Sequence, residues 1–329
     1  MKLRILTEAD LRAAVDMPAA IRAVRAAFEA LSDGRGVVPV RQPVQGPEVT
    51  LLSMPGALAG VEGGALGSKL VTVAPGNRDR GLPSIHALVV LLDPVTGVPR
   101  GVLDGEWLTA LRTGAGSGVA TDLLARPDAS VLGIVGAGAQ ARAQIEAVAA
   151  VRPIREVRIH SRTGASAERL AAALEGDREW DVRAVPTAAE ATRGAHVVVT
   201  ATDATEPVVE AGALEDDVHI NAVGGYRRDM QELPTEVVTG ARLVVVDQIE
   251  AALREAGDVW IPLEAGRIRR EDLVEIGALV AERARGAGPP TGAGTTVFKS
   301  VGNAVQDLAV GALALRQAEA LGLGTVVGG

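Results

Sequence analysis

The sequence contains no cysteine, and only four of its 329 residues are histidine. The absence of cysteine excludes disulfides, thiolate nucleophiles and cysteine-ligated metal sites. The histidines are scattered and show none of the spacings, such as HExxH, that are typical of metal ligands. We therefore expect a cytoplasmic protein without a bound metal.

Long apolar runs and positive net charge are also missing. No apolar stretch approaches the length of a membrane span, and we expect no signal peptide at the N-terminus. The net charge of -8 argues against nucleic acid and anionic membranes as partners. Lysine occurs only at positions 2, 69 and 299, which makes Lys69 a candidate functional residue.

One stretch, residues 130–163, has the pattern of a dinucleotide-binding unit. A short apolar run leads through GAGAQA (136–141) into an alanine-rich helical stretch and then a second apolar run. Gly136 permits a tight turn, Gly138 lets the backbone approach a pyrophosphate, and Ala141 lets the helix pack close to the strand. The free N–H groups of the helix N-terminus favour phosphate there. These features predict a dinucleotide site.

The end of the second strand of this unit indicates which nucleotide is bound. A site for NAD(H) usually places Asp or Glu there, whereas this chain has Ser161, Arg162 and Thr163. A cation and two hydroxyls suit a 2′-phosphate, so NADP(H) is favoured and NAD(H) remains possible. The alternative is that Arg162 is only a solvated surface side chain.

The order of apolar runs predicts an α/β protein. Runs at 49–54, 68–73 and 85–93, separated by Gly and Pro, indicate an antiparallel sheet. Runs that alternate with helical segments after residue 130 indicate a Rossmann-type, doubly wound parallel sheet. We expect an α/β substrate-binding and dimerisation domain at 1–115, the dinucleotide-binding domain at 116–296, and a C-terminal segment, 297–329, whose helix returns to the first domain.

Several motifs together resemble the ornithine cyclodeaminase / mu-crystallin family. They cover most of the chain in the family's order and include Pro75-Gly76-Asn77 after Lys69, GLPSIH (81–86), DPVTGVP (93–99), LDGEWLTALRTGAGS (103–117), GIVGAGAQA (133–141), INAVGGYRRDMQEL (220–233) and FKSVGNAVQDLA (298–309). The resemblance implies a homodimer, nicotinamide cofactors, a cleft between the two domains, and amino acids or cyclic imino acids as substrates.

The resemblance also implies roles for individual residues. Arg41, Lys69 and Arg112 match positions that bind the substrate carboxylate, and the chemistry agrees because a cation beside the nicotinamide orients a carboxylate substrate. Met54 and Gly225 complete the expected substrate site. The expected cofactor site consists of Thr113, Gly136, Gly138, Ala139, Gln140, Ser161, Arg162, Thr163, Thr200, Ala201, Thr202, Val223, Gly224, Ser300 and Gly302.

One departure from the family pattern bears on the reaction. Cyclodeaminases and related alanine dehydrogenases carry an acidic residue directly after the glycine pair that ends the fifth Rossmann strand, where this chain has Tyr226 after Gly224-Gly225. A tyrosine, with an ordinary pKa of about 10, does not act as a carboxylate base near neutral pH. Asp229 follows three residues later and is expected to cap a helix.

The local pattern resembles instead the ketimine and Δ1-pyrroline-2-carboxylate reductases of the same family. These enzymes reduce a preformed C=N bond next to a carboxylate, so the products here would be L-proline or L-pipecolate. His86 and Tyr226 are the candidate proton donors, although His86 is equally compatible with a packed sheet histidine. Ornithine cyclodeaminase with bound NAD, an alanine dehydrogenase-like enzyme and a non-catalytic, NADPH-dependent ligand carrier remain alternatives.

Overall fold

The computed structural model describes residues 2–176, 180–288 and 292–328, apart from the side chain of Arg78. Strands and helices are numbered in chain order. The strands are β1 (Leu3–Leu6), β2 (Gly36–Val37), β3 (Gln42–Gln45), β4 (Thr50–Leu58), β5 (Ala65–Val73), β6 (Ile85–Leu92), β7 (Pro99–Asp104), β8 (Val131–Val135), β9 (Glu156–His160), β10 (Asp181–Ala184), β11 (Val197–Thr200), β12 (His219–Ala222), β13 (Leu243–Val246), β14 (Leu273–Glu275), β15 (Thr296–Lys299) and β16 (Thr325–Val327). The helices are α1 (Glu8–Ala14), α2 (Met17–Ser32), α3 (Gly105–Leu124), α4 (Ala141–Val151), α5 (Ala165–Leu174), α6 (Ala188–Thr192), α7 (Thr235–Gly240), α8 (Ile249–Glu255), α9 (Gly257–Glu264), α10 (Ile276–Ala284) and α11 (Ala304–Leu321).

Internal contacts divide the chain into two compact units. The first unit contains the residues up to Arg112 and those from Asn303 onward, and the second contains Thr113–Gly302. One boundary therefore falls inside α3, and the other falls between β15 and α11. The domain limits inferred from the sequence, 1–115, 116–296 and 297–329, stay a prediction. Within the described ranges, no helix has both the length and the apolar character that a membrane span requires.

The sheet of the first unit has the order β16-β1-β7-β6-β5-β4-β2, and β3 also pairs with β4. Neighbouring strands from β3 to β7 run antiparallel, which confirms the sheet predicted for this region, whereas β1 runs parallel to β7. A capping box begins α1, where Thr7 and Asp10 each accept the other's backbone N–H. Asp16 begins α2 by accepting the Ala19 N–H at 2.8 Å.

A pair of facing glycines lets α11 lie close to this sheet. Gly56 on β4 is the register partner of Gly67 on β5. A Cβ on Gly56 would lie 3.0 Å from the Ala304 Cβ, and one on Gly67 would lie 3.1 Å from a Leu308 methyl and 2.1 Å from the Val90 carbonyl oxygen. The small residues therefore set the distance between β5 and the first turn of α11.

The second unit contains a parallel sheet of order β10-β9-β8-β11-β12-β15-β13-β14. Alternate residues of one strand enter different apolar clusters, since Val197 and Val199 pack on one face and Val198 packs on the other. The order reverses between β8 and β11, the switch point where open α/β sheets bind ligands. These observations confirm the predicted α/β fold with a doubly wound parallel sheet.

The helix start predicted at Asp229 is wrong. Asp229 lies in an exposed turn, where it pairs with Arg227 at 2.9 Å, and the next helix, α7, begins only at Thr235. Pro234 stands directly before α7, and a proline disfavours helical conformation at the residue that precedes it. The helix therefore cannot extend back to Asp229.

We predict that Gly67→Ala destabilises the protein by about 1–3 kcal/mol, because the added methyl overpacks a backbone contact that cannot move away. Gly76→Ala is the matched control, since a Cβ at Gly76 meets nothing within 4 Å and its φ is not positive. The thermal midpoint, followed by circular dichroism, should fall in the first variant alone. Equal midpoints in the two variants would contradict the packing argument.

Candidate active site

The side chains of Lys69 and Arg112 meet at one carboxylate inside the first unit. Lys69 lies on β5, Arg112 on α3 and Asp307 in the first turn of α11. The same oxygen, Asp307 Oδ1, accepts from Lys69 Nζ at 3.0 Å and from Arg112 Nε at 2.9 Å. All three residues are buried, with exposures of 2%, 5% and 0% respectively. These residues are called the Asp307 cluster below.

The Asp307 cluster holds more positive than negative charge. Burial, and to a lesser extent repulsion by Arg112, lower the pKa of Lys69 from 10.5 to about 7, while Asp307 opposes this shift. Arg41, in the segment between β2 and β3, also lowers this pKa, so its charge is felt at Lys69. Because unbalanced buried charge is costly, the cluster favours contact with an anion.

Two buried polar atoms beside these charges lack a hydrogen-bond partner, which indicates a ligand site. Gln306 Oε1 accepts from Arg112 Nη1 at 2.6 Å, but Gln306 Nε2 and Asp307 Oδ2 have no hydrogen-bond partner within the described part of the chain. Buried polar atoms are rarely left unpaired, so each such atom needs an explanation. Met54, the register partner of Lys69 on β4, is buried next to Lys69.

Sequence reasoning assigned no role to Asp307 or Gln306. Both lie in the motif FKSVGNAVQDLA (298–309), which supported the family resemblance but did not indicate which of its side chains bind. Asp307 is separated from Lys69 by 238 residues, so only the fold brings the two together.

His86 lies on the other face of the sheet from Lys69. Its register partner on β5 is Thr72, three residues after Lys69, and side chains at odd separations along a strand point to opposite faces. His86 Nδ1 lies 2.6 Å from Glu106 Oε1, and both side chains are partly exposed. The structure therefore does not bring His86 to the Asp307 cluster.

The expected cofactor residues of the second unit gather at one edge of its sheet. Except for Thr113, which is buried in α3, they lie at or just after the carboxyl ends of β8, β9, β11, β12 and β15. This edge, called the cofactor edge below, contains Gly136, Gly138, Ala139, Gln140, Ser161, Arg162, Thr163, Thr200, Ala201, Thr202, Val223, Gly224, Ser300 and Gly302. Gly225, expected to bind substrate, follows Gly224 there and is buried.

The turn after β8 fits a dinucleotide. Gly136 has a φ of 107°, and a Cβ there would lie 2.4 Å from the Ala201 carbonyl oxygen, so only glycine fits. A Cβ on Gly138 would meet nothing within 4 Å, which leaves room for a phosphate against the backbone. No side chain caps the following helix, α4, so its first N–H groups remain available to an anion. The geometry can therefore hold the cofactor that the sequence predicts.

Arg162 is exposed at the end of β9, and among the described residues it has no ion-pair partner. The neighbouring hydroxyls take part in local contacts, since Ser161 Oγ accepts the Ala167 N–H at 3.1 Å and Thr163 Oγ1 lies 3.0 Å from Ser166 Oγ. Arg162 is therefore the group at this position best placed to meet added negative charge.

Tyr226 follows the glycine pair after β12 and is partly buried. The Arg227 guanidinium lies 5.8 Å from the centre of its ring, and Asp229 pairs with Arg227. The exposed Asp229 carboxylate is thus engaged by Arg227.

Two buried carboxylates at the cofactor edge were missed from the sequence. Asp247, directly after β13, accepts from Ser300 Oγ at 2.8 Å and from the Gly302 N–H at 2.7 Å. Glu232 accepts from the Thr202 N–H at 2.7 Å and the Gly224 N–H at 2.8 Å. Asp247 follows an apolar run and so carried a sequence signal. Glu232 lies outside any helix or strand but within the motif INAVGGYRRDMQEL (220–233), which did not indicate which of its side chains bind.

Comparison with known proteins gives a consistent result. The model of the ornithine cyclodeaminase/mu-crystallin family matches residues 1–320. A Δ1-pyrroline-2-carboxylate reductase of Bacillus cereus is 38% identical over 323 residues, which cover 97% of this chain and 98% of that protein.

Two solved structures resemble the whole chain. The Δ1-pyrroline-2-carboxylate reductase of Thermococcus litoralis, in complex with NADH and L-proline, is 37% identical with a TM-score of 0.91, and the match covers 98% of this chain and 99% of that one. An archaeal alanine dehydrogenase dimer with bound NAD is 34% identical with a TM-score of 0.91, covering 100% and 99%. This chain therefore belongs to the ornithine cyclodeaminase/mu-crystallin family.

Proposed function

We propose that this protein is an NAD(P)H-dependent oxidoreductase that reduces cyclic ketimine carboxylates. Its reaction would convert Δ1-pyrroline-2-carboxylate to L-proline, Δ1-piperideine-2-carboxylate to L-pipecolate, or both. The observation that carries the proposal is the Asp307 cluster, in which two buried cations share one carboxylate and so favour an additional anion. The relatives named as Δ1-pyrroline-2-carboxylate reductases, one of them holding NADH and L-proline, support the same reaction.

The residues of the chain would act by binding and orientation. Lys69 and Arg112 would hold the substrate carboxylate, while Asp307 keeps the two cations at a fixed separation. Burial excludes water, which strengthens these contacts. The bound nicotinamide supplies the hydride that adds to the imine carbon. The imine nitrogen is basic enough to arrive protonated, so the reaction does not require a proton donor from the protein. The roles of His86 and Tyr226 as proton donors stay predictions.

Cyclodeamination demands more of the protein than imine reduction. Removing an amine requires a base close to the substrate. The family's cyclodeaminases carry a carboxylate that can act as this base at the position that Tyr226 occupies here. The nearby Asp229 carboxylate pairs with Arg227. Alanine dehydrogenase activity has one observation in its favour, the 34% identity to the archaeal enzyme, and it is therefore included in the assay.

The test measures loss of reduced-nicotinamide absorbance with NADPH and NADH in parallel. Substrates are the five- and six-membered ketimine carboxylates and pyruvate with ammonia, and ornithine is assayed separately for proline. Turnover with a cyclic imine is expected. Ornithine conversion without net cofactor consumption would overturn the assignment. Turnover with pyruvate and ammonia, but with neither cyclic imine, would overturn it as well. Absence of turnover together with nucleotide binding would favour the ligand-carrier alternative.

The Lys69 pKa predicts how product affinity changes with pH. A carboxylate binds the protonated ammonium, and the free protein loses that proton above about pH 7. The Kd of L-proline should therefore be flat below pH 7 and rise by up to about tenfold per pH unit above it. Calorimetry at pH 8 in buffers of different ionisation enthalpy should show uptake of close to one proton on binding.

Two variants check that the pH effect belongs to Lys69. Lys69→Met should bind L-proline weakly at every pH and without proton uptake, whereas Lys2→Met, at an exposed position, should behave like the unaltered protein. Proton uptake that persists in Lys69→Met would assign the effect to another group.

We propose further that NADP(H) is preferred over NAD(H). The support is the exposed Arg162 cation at the end of β9, where no Asp or Glu stands to accept from a ribose hydroxyl. The two solved relatives contain NADH and NAD, so both cofactors belong in the measurement.

Arg162→Asp should raise the Kd of NADPH by about 10- to 100-fold, the size of a lost charge-assisted hydrogen bond, and change the Kd of NADH little. Arg169→Asp makes the same charge change at an exposed site nearby on α5 and serves as control. Cofactor fluorescence titrations measure both constants. Equal losses for NADPH and NADH in Arg162→Asp would rule out recognition of the 2′-phosphate.

The outer face of the first unit's sheet supports the expected homodimer. Leu70 and Leu88, register partners on β5 and β6, are 39% and 50% exposed. A shallow apolar cavity of about 420 Å³ lies on the same strands between Pro55 and Val90. Exposed apolar patches of this kind are typical of subunit interfaces. Light scattering should give twice the 33.7 kDa chain mass, and Leu88→Asp should shift it toward that of the monomer.

A further inference from the structure

Glu232 joins two loops of the cofactor edge through one buried carboxylate. Its Oε1 accepts from Thr202 N at 2.7 Å and from Thr202 Oγ1 at 2.8 Å. Its Oε2 accepts from Gly224 N at 2.8 Å and from Gly225 N at 3.3 Å. Since β11 ends at Thr200 and β12 at Ala222, the carboxylate holds each loop two residues beyond its strand. Glu232 is completely buried.

The glycine pair after β12 is adapted to this contact. A Cβ on Gly224 would lie 2.1 Å from the Thr202 carbonyl oxygen and 2.6 Å from Glu232 Oε1. No larger residue fits without separating the two loops. The carboxylate and the missing side chain therefore act together, because the glycine permits the close approach and Glu232 holds it.

A second layer of buried charge fixes Glu232 itself. Asp258 Oδ1 accepts the backbone N–H of Glu232 and that of Leu233, each at 2.8 Å. Lys299, at the end of β15, places Nζ 3.0 Å from Asp258 Oδ2 and 3.9 Å from Glu232 Oε2. Burial, and repulsion by Asp258, raise the pKa of Glu232, whereas Lys299 and the Thr202 hydrogen bonds oppose the shift.

We infer that Glu232 is a positioning residue that sets the spacing of the loops after β11 and β12, and thereby the fit of the nicotinamide cofactor to the cofactor edge. Asp258 and Lys299 hold Glu232 in place. The inference rests on the proposed function for its cofactor, but the loop geometry is a property of the protein alone. A neutral amide at position 232 offers one oxygen, so it can accept from one loop and must direct N–H groups at the other.

The test compares Glu232→Gln with Glu236→Gln, which makes the same change four residues along at an exposed position on α7. In Glu232→Gln the Kd and KM of the cofactor should rise about tenfold or more, while the KM of the imine changes less than twofold. Hydrogen exchange without cofactor should accelerate at residues 201–204 and 223–226 and stay unchanged in α4. Glu236→Gln should leave all of these values unaltered.

The outcomes separate this inference from the proposed function. A folded Glu232→Gln protein with unchanged loop exchange and unchanged cofactor Kd would overturn it, as would a loss of imine affinity equal to the loss of cofactor affinity. If Glu232→Gln does not fold, Glu232→Asp takes its place, because it retains the charge but is one methylene too short to reach both loops. Unchanged hydrogen exchange of the two loops in that variant would likewise overturn the inference. An unaltered protein that binds neither NADH nor NADPH would refute the proposed function, while exchange in the free protein still tests Glu232.

Discussion

The interaction on which the first unit depends is the contact of two buried cations with a single oxygen of Asp307. Removing three ionised groups from water is costly, and one carboxylate does not balance two cations. Such an arrangement is retained where the missing charge arrives with a ligand, because the cost of burial then becomes binding energy for an anion of the correct size. Burial is the main cause of the low pKa of Lys69, and repulsion by Arg112 adds to it.

Packing and charge are linked in this arrangement. Asp307 reaches Lys69 because α11 lies close to β5, and α11 lies close because Gly56 and Gly67 have no side chains between the helix and the sheet. The second unit uses the same device at Gly224, where the absent Cβ lets Thr202 and Glu232 approach. In both units a glycine permits a close backbone approach, and a buried carboxylate then fixes its geometry.

Local features of the chain could be predicted from the sequence, whereas its distant pairings could not. The turn at Gly136 and the alternation of strands follow from neighbouring residues, and each appears as expected. Asp307 pairs with Lys69 across 238 residues, and Glu232 joins Gly224 to Thr202, which lies 30 residues before Glu232, so no local spacing indicates either contact. His86 shows the same limit within a sheet, because its face depends on the register with Thr72, which the sequence does not specify. The expectation of a helix start at Asp229 is wrong because Pro234 disfavours helical conformation at the residue before it.

The reaction and the cofactor geometry depend on different parts of the loop after β12. A reductase of preformed imines needs a cofactor edge and a carboxylate site but no strong base, so the position after Gly224-Gly225 is free to hold Tyr226. The contacts that set the backbone geometry do not involve the Tyr226 side chain, since Glu232 bonds to the backbone N–H groups of Thr202, Gly224 and Gly225. Substitutions at the exposed end of the loop after β12 would then change the reaction, while the buried end of the loop preserves the geometry of the cofactor edge.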